Sequence, residues 1–482
     1  MISFSEIGNI KVPGVYSEVD NSLANQGLTG KESCGLLIGQ KLNTGSMEYN
    51  RVYTVYNVTD ALKLTGYGSE LYRAAKAWFK HNKYNALKLI AVEQTTGVAA
   101  TFTITVTATN AASGTLSLYI DGEALKITVA EGASAASIAA DIAAAVNDGG
   151  YGVIADADEH VVTLTAVHKG EAGNGTDVRL NYYDSDETPT GVSLAIAAGT
   201  KGSGNVSLAA VIASIGETYA TDIVSSYTDT QNLKLLKAEM NRRFGAMIMN
   251  DATLYIAPHG TMSDLMSLSE SLNSEHIVVA ENYNTPNNPF IRAVKLAAIC
   301  AYEAQIDPAR QYRTLVLTDE LPATVSLDWS ERQILLSHGV ATFVSDTSGN
   351  VAIERIVTTY QKNSLGAKDE SYLDLTTVKT LTYLRWSYVN RMKVKYPRHK
   401  LADDSYEVRG GSAIVTPKVI ASEALALAKD WYAAGLVENI DDFKNSMVTE
   451  RNAMDVNRID QLLRPDIINN LMVIAAKIQF KL

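Results

Sequence analysis

Hydrophobic and polar positions change period several times along this chain, and the changes mark out its parts. Cys34-Gly-Leu-Leu-Ile-Gly39 is a short continuous apolar run, as expected of a strand buried on both faces. Glu70 to His81 has helical spacing, with Leu71, Ala74 and Trp78 on one side, and Leu87 to Val92 reads as a second strand. The character shifts at Thr95. Thr101 to Thr107 alternates strictly and is β-branched, Leu116–Ile120 and Leu125–Val129 flank the turn signal Asp121-Gly122, and Ser134 is placed to cap a helix through Ile138, Ile142 and Val146. Val161 to Ala166 and Val178 to Tyr183 are further strands, and the glycine-rich stretch Gly199 to Asn205 reads as a joint.

Beyond it the helical and strand periods alternate. Helices are expected near 208–215, 231–243, 262–273 and 289–305, with strands at 253–257, 276–280 and 314–318, as in a sheet flanked by helices. Segments 340–345 and 351–359 read as a hairpin around Thr347 to Asn350. Val378, Leu381, Leu384, Tyr388 and Met392 recur at three and four and predict a long amphipathic helix. Thr416-Pro417 opens another, lined by Ile420, Ala424, Leu427 and Trp431, with Gly435 placed to end it. The last residues, Ala476-Lys-Ile-Gln-Phe-Lys-Leu482, alternate up to the final residue. Chain ends carry such a pattern when something ties them down. A strand cannot satisfy its own backbone groups, so this one needs a partner strand in the same chain or in another copy. At the other end, residues 1–20 scatter Ile2, Phe4, Val12 and Val15 among Ser, Gly and Pro, and read as an arm that docks on a partner.

The expected fold class is α/β (α+β), multidomain. An α/β body at 21–95 and 205–360 carries an inserted β-rich domain at 96–204. A C-terminal α/β domain at 361–482 ends in strand 472–482. A chain of 482 residues is long enough for several cores. Mean hydropathy of −0.02 and the absence of an apolar run of about 18 residues argue against membrane insertion. The amino-terminal residues show no basic and apolar leader pattern, so cytoplasmic synthesis is expected. The net charge of −11 is concentrated. Residues 96–204 hold thirteen acidic side chains against Lys126, Lys169, Arg179 and Lys201, which makes the insertion a poor partner for nucleic acid.

Enzyme signatures are weak. Gly30-Lys31 has the ending of a phosphate loop, but Asn25 stands where its first glycine belongs and Glu32 where the hydroxyl belongs. The seven histidines show no metal-ligand spacing, and Cys34 and Cys300 sit in apolar surroundings as buried thiols. No catalytic residue, metal or cofactor is expected. The competing reading, an α/β enzyme with an accessory β domain, rests on His259 at the end of a strand. One charge cluster stands out. Arg391, Lys393, Lys395, Arg398 and Lys400 lie in ten residues without an acid. They suit a helix end favoured by its dipole, a dock for an acidic partner, or a nucleic-acid contact disfavoured by the acidic whole.

Several blocks in order resemble the tail sheath proteins of Mu-like contractile bacteriophages. They are Ile10-Lys-Val-Pro-Gly-Val-Tyr16, Leu118-Tyr-Ile-Asp-Gly-Glu123, His168-Lys-Gly-Glu-Ala-Gly-Asn174, Glu354-Arg-Ile-Val-Thr-Thr-Tyr-Gln361, Ser371-Tyr-Leu-Asp-Leu375, Lys395-Tyr-Pro-Arg-His-Lys-Leu401 and the terminal Ala476 to Leu482. The resemblance implies a structural subunit that assembles with copies of itself as hexameric rings, stacked helically around a tail tube. Contraction then drives the tube through the host envelope. Baseplate and tail terminator proteins are implied as further partners, and the virion as its location after assembly in the bacterial cytoplasm. It also implies strand addition between subunits. Ile474, Ile478, Phe480 and Leu482 would be the inter-subunit strand, Ile2, Phe4, Val12 and Val15 the linking arm, and Arg391, Lys393, Lys395 and Arg398 candidates to face the tube. A sheath from a phage-derived injection particle fits the same residues.

Overall fold

The computed structural model describes Ser17, Leu28 and residues 30–94, 96–407 and 413–481. Ile2, Phe4, Val12, Val15 and Leu482 therefore lie outside the described residues. The chain divides into two compact units, a large one from Glu32 to Tyr383 joined by the segment from Asn470 onward, and a smaller one built on Leu384–Asn469.

The large unit opens with β1 (Cys34–Gly39), β2 (Val52–Val55), α1 (Val58–Thr65), α2 (Glu70–His81) and β3 (Ala86–Ala91). The chain then leaves for the insertion: β4 (Ala99–Ala108), β5 (Gly114–Ile120), β6 (Glu123–Val129), α3 (Ala135–Gly149), β7 (Val153–Asp158), β8 (Val161–Lys169), a single 3-10 turn Glu171–Gly175, β9 (Val178–Leu180) and β10 (Val192–Ala198). It returns as α4 (Ala209–Ile215), β11 (Asp222–Ser225), α5 (Thr230–Phe244), β12 (Thr253–Ile256), α6 (Met262–Leu272), β13 (Ile277–Ala280), α7 (Pro289–Ile306), α8 (Trp329–Ser337), β14 (Val340–Ser345) and β15 (Val351–Arg355). Helix α9 (Leu375–Lys395) starts here and runs on into the smaller unit.

Eight strands form the central sheet in the order β15-β14-β13-β12-β11-β1-β3-β2. The six inner strands are parallel, and β2 and β15 are antiparallel edges. Parallel strands need both faces covered, and the two residue sets that cover them are distinct. Leu37, Val224, Tyr255 and Val278 pack under Leu71 and Trp78 of α2 and Val294 and Ala297 of α7. Leu36, Ile38, Ile223, Leu254 and Ile256 pack under α4, α5, α6 and α8 through Val211, Leu236, Leu265 and Leu335. Gly35 is the point of closest approach. A Cβ there would lie 2.4 Å from the ring of the fully buried Trp78. Gly35→Ala is expected to cost about 1–3 kcal/mol through overpacking, read as a lowered urea midpoint.

The insertion has its own core. One sheet has the order β10-β4-β8-β7 and the other β6-β5-β9, with Ile138, Ile142 and Val146 of α3 packed among Ile104, Leu116, Leu118, Val162 and Leu164. In the smaller unit α10 (Pro417–Ala433) buries Ile420, Ala424, Leu427 and Trp431, and the Trp431 indole donates to Ser387 Oγ at 3.0 Å. Short strands complete it. β16 (Lys400–Leu401) pairs with β17 (Ile414–Val415), and β18 (Val437–Glu438) pairs with β21 (Asp466–Ile467). Helix α11 (Ile440–Ser446) follows β18, and β19 (Val448–Arg451) pairs with β20 (Ile459–Leu462).

The α/β class expected from the period changes is the one found. Several elements differ. Residues 314–318 form no strand. Left-handed Thr314 (φ 72°) and Asp319 (φ 58°) bracket the segment, which pairs with β15 through a bridge from Val316 to Ala352 and backbone hydrogen bonds to Val351 and Ile353. The hairpin's second strand stops at Arg355, with Val357 making an isolated bridge to Asp374, and β9 stops at Leu180, before Tyr182 and Tyr183. Helix α8 was not expected, although Asp328 and Glu331 form a capping box there. Among the described residues no helix is long and apolar enough to cross a membrane.

Candidate assembly interface

The terminal segment is tied down at its root and bare beyond it. Asn470 accepts from Thr376 Oγ1 at 2.9 Å and donates to the carbonyl of Ala309 at 2.7 Å, while Gln311 Nε2 donates to the carbonyl of Leu471 at 2.6 Å. Among the described residues, 472–481 form no strand and no ladder hydrogen bond. Ile474, Ile478 and Phe480 are 80%, 91% and 80% exposed, so none of the described residues covers them. The sequence reading missed the anchor. Asn469-Asn470, a polar pair just before the apolar alternation, is the signal that marks it.

The smaller unit presents the complementary deficiency. The β19–β20 pair is a two-stranded hairpin, and two strands alone are marginal in water. Each of its strands has one partner among the described residues, so both outer edges carry unpaired backbone groups.

The basic cluster resolves into two classes. Arg391 Nε donates to Glu423 Oε1 at 2.6 Å and its Nη1 to Asp430 Oδ2 at 2.7 Å, and Lys395 Nζ donates to Glu423 Oε2 at 2.6 Å. These two cations cross-link α9 to α10. Lys393 and Arg398 are exposed. Burial alone would raise the Glu423 carboxyl, but Lys395 and Arg391 outweigh it and hold it below the ordinary range. A depressed carboxyl adds stability above its unfolded pKa and loses it as pH falls through the folded one. Glu423→Gln is therefore expected to cost about 1–2 kcal/mol near neutrality and to shrink the acid-induced loss below the ordinary carboxylate range, measured by urea unfolding as a function of pH.

His259, the strand-end candidate for catalysis, has both ring nitrogens engaged. Nε2 meets the carbonyl of Gly175 at 2.9 Å and Nδ1 meets Asn282 Nδ2 at 3.3 Å. Cys34 and Cys300 are both buried free thiols, and burial raises both. Among the described residues no cluster of His, Cys, Asp and Glu is arranged to hold a metal.

Comparison with known proteins identifies the class to which this fold belongs. The model of the phage tail sheath protein central domain matches residues 201–359, and that of the phage tail sheath C-terminal domain matches residues 367–481. The chain belongs to the phage tail sheath family. It is 34% identical over 484 residues, 99% of either chain, to the Mu-like prophage FluMu tail sheath protein of Haemophilus influenzae. Its fold is shared with the sheath tail protein of Listeria innocua (TM-score 0.51, 11% identity, 94% of this chain and 96% of that one). It is shared also with the helical sheath of the anti-feeding prophage in its contracted state (TM-score 0.51, 8% identity, 98% and 99%). The protein is thus a structural subunit of a contractile tail sheath, in a family whose members form helical oligomers and are virion components.

Proposed function

We propose that this chain polymerises as stacked six-membered rings around a tail tube, each subunit completing its neighbours' sheets with its own terminal strand. The observation that carries this reading is the bare apolar face of Ile474, Ile478 and Phe480 on a segment anchored at Asn470. Added to an open edge of a second copy's β19–β20 hairpin, the segment gains ladder partners and gives a marginal two-stranded sheet a third strand. Leu482 continues the same face, and Ile2, Phe4, Val12 and Val15 serve as the second linking strand. A main-chain ladder is directional but indifferent to how the bodies around it are packed. The links therefore persist while the bodies repack from a metastable extended state, and contraction drives the tube through the host envelope with no nucleotide required.

Lys393 on α9 and Arg398 just beyond it are exposed residues of the basic cluster that would meet an acidic tube surface, and Arg391 and Lys395 hold the end of that helix against α10. The acidic insertion sits on the periphery. Baseplate and terminator proteins cap the two ends of the polymer, which assembles in the host cytoplasm. Negative-stain microscopy of the overexpressed chain tests the reading. Hollow, transversely striated tubes are expected, and a preparation that stays monomeric at every concentration and salt would overturn it.

A further inference from the structure

Two features of the body are unmatched within it, and each has what the other lacks. The first is a socket. A cavity of about 230 Å³ opens beyond the carboxyl end of β13, lined by Tyr283, Arg292, Ser326, Arg332, Phe343 and Ser345. Arg292 is buried over the Phe343 ring, with Nη2 on Glu281 at 3.0 Å, Nη1 on Glu320 at 2.7 Å and no partner for Nε. A buried donor without an acceptor is costly, and this one borders a cavity that can admit an acceptor. Val325 and Trp329, on either side of the lining residue Ser326, are 62% and 71% exposed. The charges are balanced, three cations (Arg292, Lys295, Arg332) against three carboxylates (Glu281, Glu320, Glu354). A charged guest would leave one charge uncompensated where water is excluded. The socket therefore suits an uncharged acceptor, such as a backbone carbonyl, carried together with an apolar side chain for Trp329.

The second feature is a knob. Residues 361–369 form a small hairpin with an antiparallel bridge between Lys362 and Lys368. Asn273 pins its base, accepting from Gln361 N at 2.8 Å and Lys362 N at 3.0 Å. The tip, Asn363-Ser-Leu-Gly-Ala367, carries no charge. Asn363 Oδ1 accepts from Leu365 N at 3.0 Å and Ala367 N at 3.1 Å, and Gly366 turns the chain at φ 80°. A tip already fixed in shape loses little freedom on binding. Leu365 is 90% exposed, and the carbonyls of Ser364, Leu365 and Gly366 accept no hydrogen bond among the described residues. Met454, fully exposed on another tip, is followed by Asp455, a charge the balanced socket disfavours.

Knob and socket belong to opposite ends of one strand. Thr359 N donates to Ile277 O at the amino end of β13, where the hairpin begins, and Glu281 follows the carboxyl end. A second copy stacked along the strand direction brings the two together. Such a contact joins unlike surfaces head to tail and propagates, as a helical oligomer requires.

We propose that turn 363–366 of one copy enters the cavity beside α8 of the next, with Leu365 against Val325 and Trp329 and a turn carbonyl accepting from Arg292 Nε. The contact rests on the self-assembly proposed above and adds a body-to-body link that the terminal strand does not supply.

Tubes grown from the chain alone, free of tail tube protein, test it. Trp329→Ala and Leu365→Ser should each raise the subunit concentration left unpelleted by at least about tenfold. The double variant should be no worse than the weaker single, because both changes remove one contact. Met247→Ser, as exposed as Leu365 but on neither surface, should leave that concentration within about twofold. Single effects that multiply in the double variant, or a control that shifts as far, would overturn the pairing. Linking decides where a variant does not polymerise. Val325→Cys with Ser364→Cys, treated with a short bismaleimide, should give a ladder of joined chains that neither single variant gives. Cys34 and Cys300 are buried and stay out of the reaction. Striated tubes without a ladder overturn this contact and leave self-assembly standing. A chain that forms no tubes overturns self-assembly and this contact with it.

Discussion

Removing residues 472–482 is expected to abolish tube formation and to leave the unfolding transition of the body where it is. Residues 473–481 are exposed and Met472 is only half-buried, so the loss takes no core away and stability should change by less than about 1 kcal/mol. Its value lies in the polymer. Fixing a backbone costs about 1–2 kcal/mol per residue, and ladder hydrogen bonds return about 1 kcal/mol each, so the ladder alone roughly breaks even. The surplus must come from the apolar face, at about 1.5–3 kcal/mol for each large side chain buried. Phe480→Asp, which leaves the backbone intact, should therefore prevent assembly almost as well as the deletion. Lys477→Ala, on the other face of the strand, should not. Sedimentation and negative-stain microscopy of the three variants separate the outcomes. Striated tubes from the truncated chain would remove strand exchange from the account.

What could be read from the residues follows from how far each signal reaches along the chain. The run Cys34–Gly39 declares a buried parallel strand because both faces need apolar residues locally. The terminal alternation is just as local, but among the described residues it finds no partner strand, so the sequence shows the need and not the solution. Arg391 and Lys395 read as surface charge because Glu423 and Asp430 lie on another helix, 28 to 39 residues away. The hydrogen bond from Glu70 N to His168 Nε2 spans 98 residues and joins the body to the insertion, and neither residue stands out in its own neighbourhood. Segment 314–318 misled for the converse reason. Its alternation is genuine, but left-handed Thr314 and Asp319 bracket it and confine its pairing with β15 to one bridge and a few backbone hydrogen bonds.

Lys379→Met is expected to destabilise the body by about 3–5 kcal/mol. Asp222 opens β11 and is completely buried. Lys379 Nζ reaches its Oδ1 at 2.7 Å, Tyr255 OH donates to the same oxygen at 2.8 Å, and Thr221 Oγ1 donates to Oδ2 at 2.7 Å. Removing the ammonium leaves two hydroxyls to hold a buried carboxylate, and hydroxyls carry no compensating charge. Adding Asp222→Asn to Lys379→Met should recover part of the loss, since the buried group is then neutral and its amide oxygen still accepts from one hydroxyl while its NH2 can donate to the other. Urea unfolding of the assembly-deficient truncated chain gives both numbers without polymer. Lys379 stands near the start of α9, so the pair fixes the root of that helix to β11 through a buried, directional contact. Hydrogen exchange in 375–383 should accelerate in Lys379→Met before that of β12 or β13. Equal acceleration throughout the sheet would show that the pair stabilises the body globally and does not hold the root of the helix.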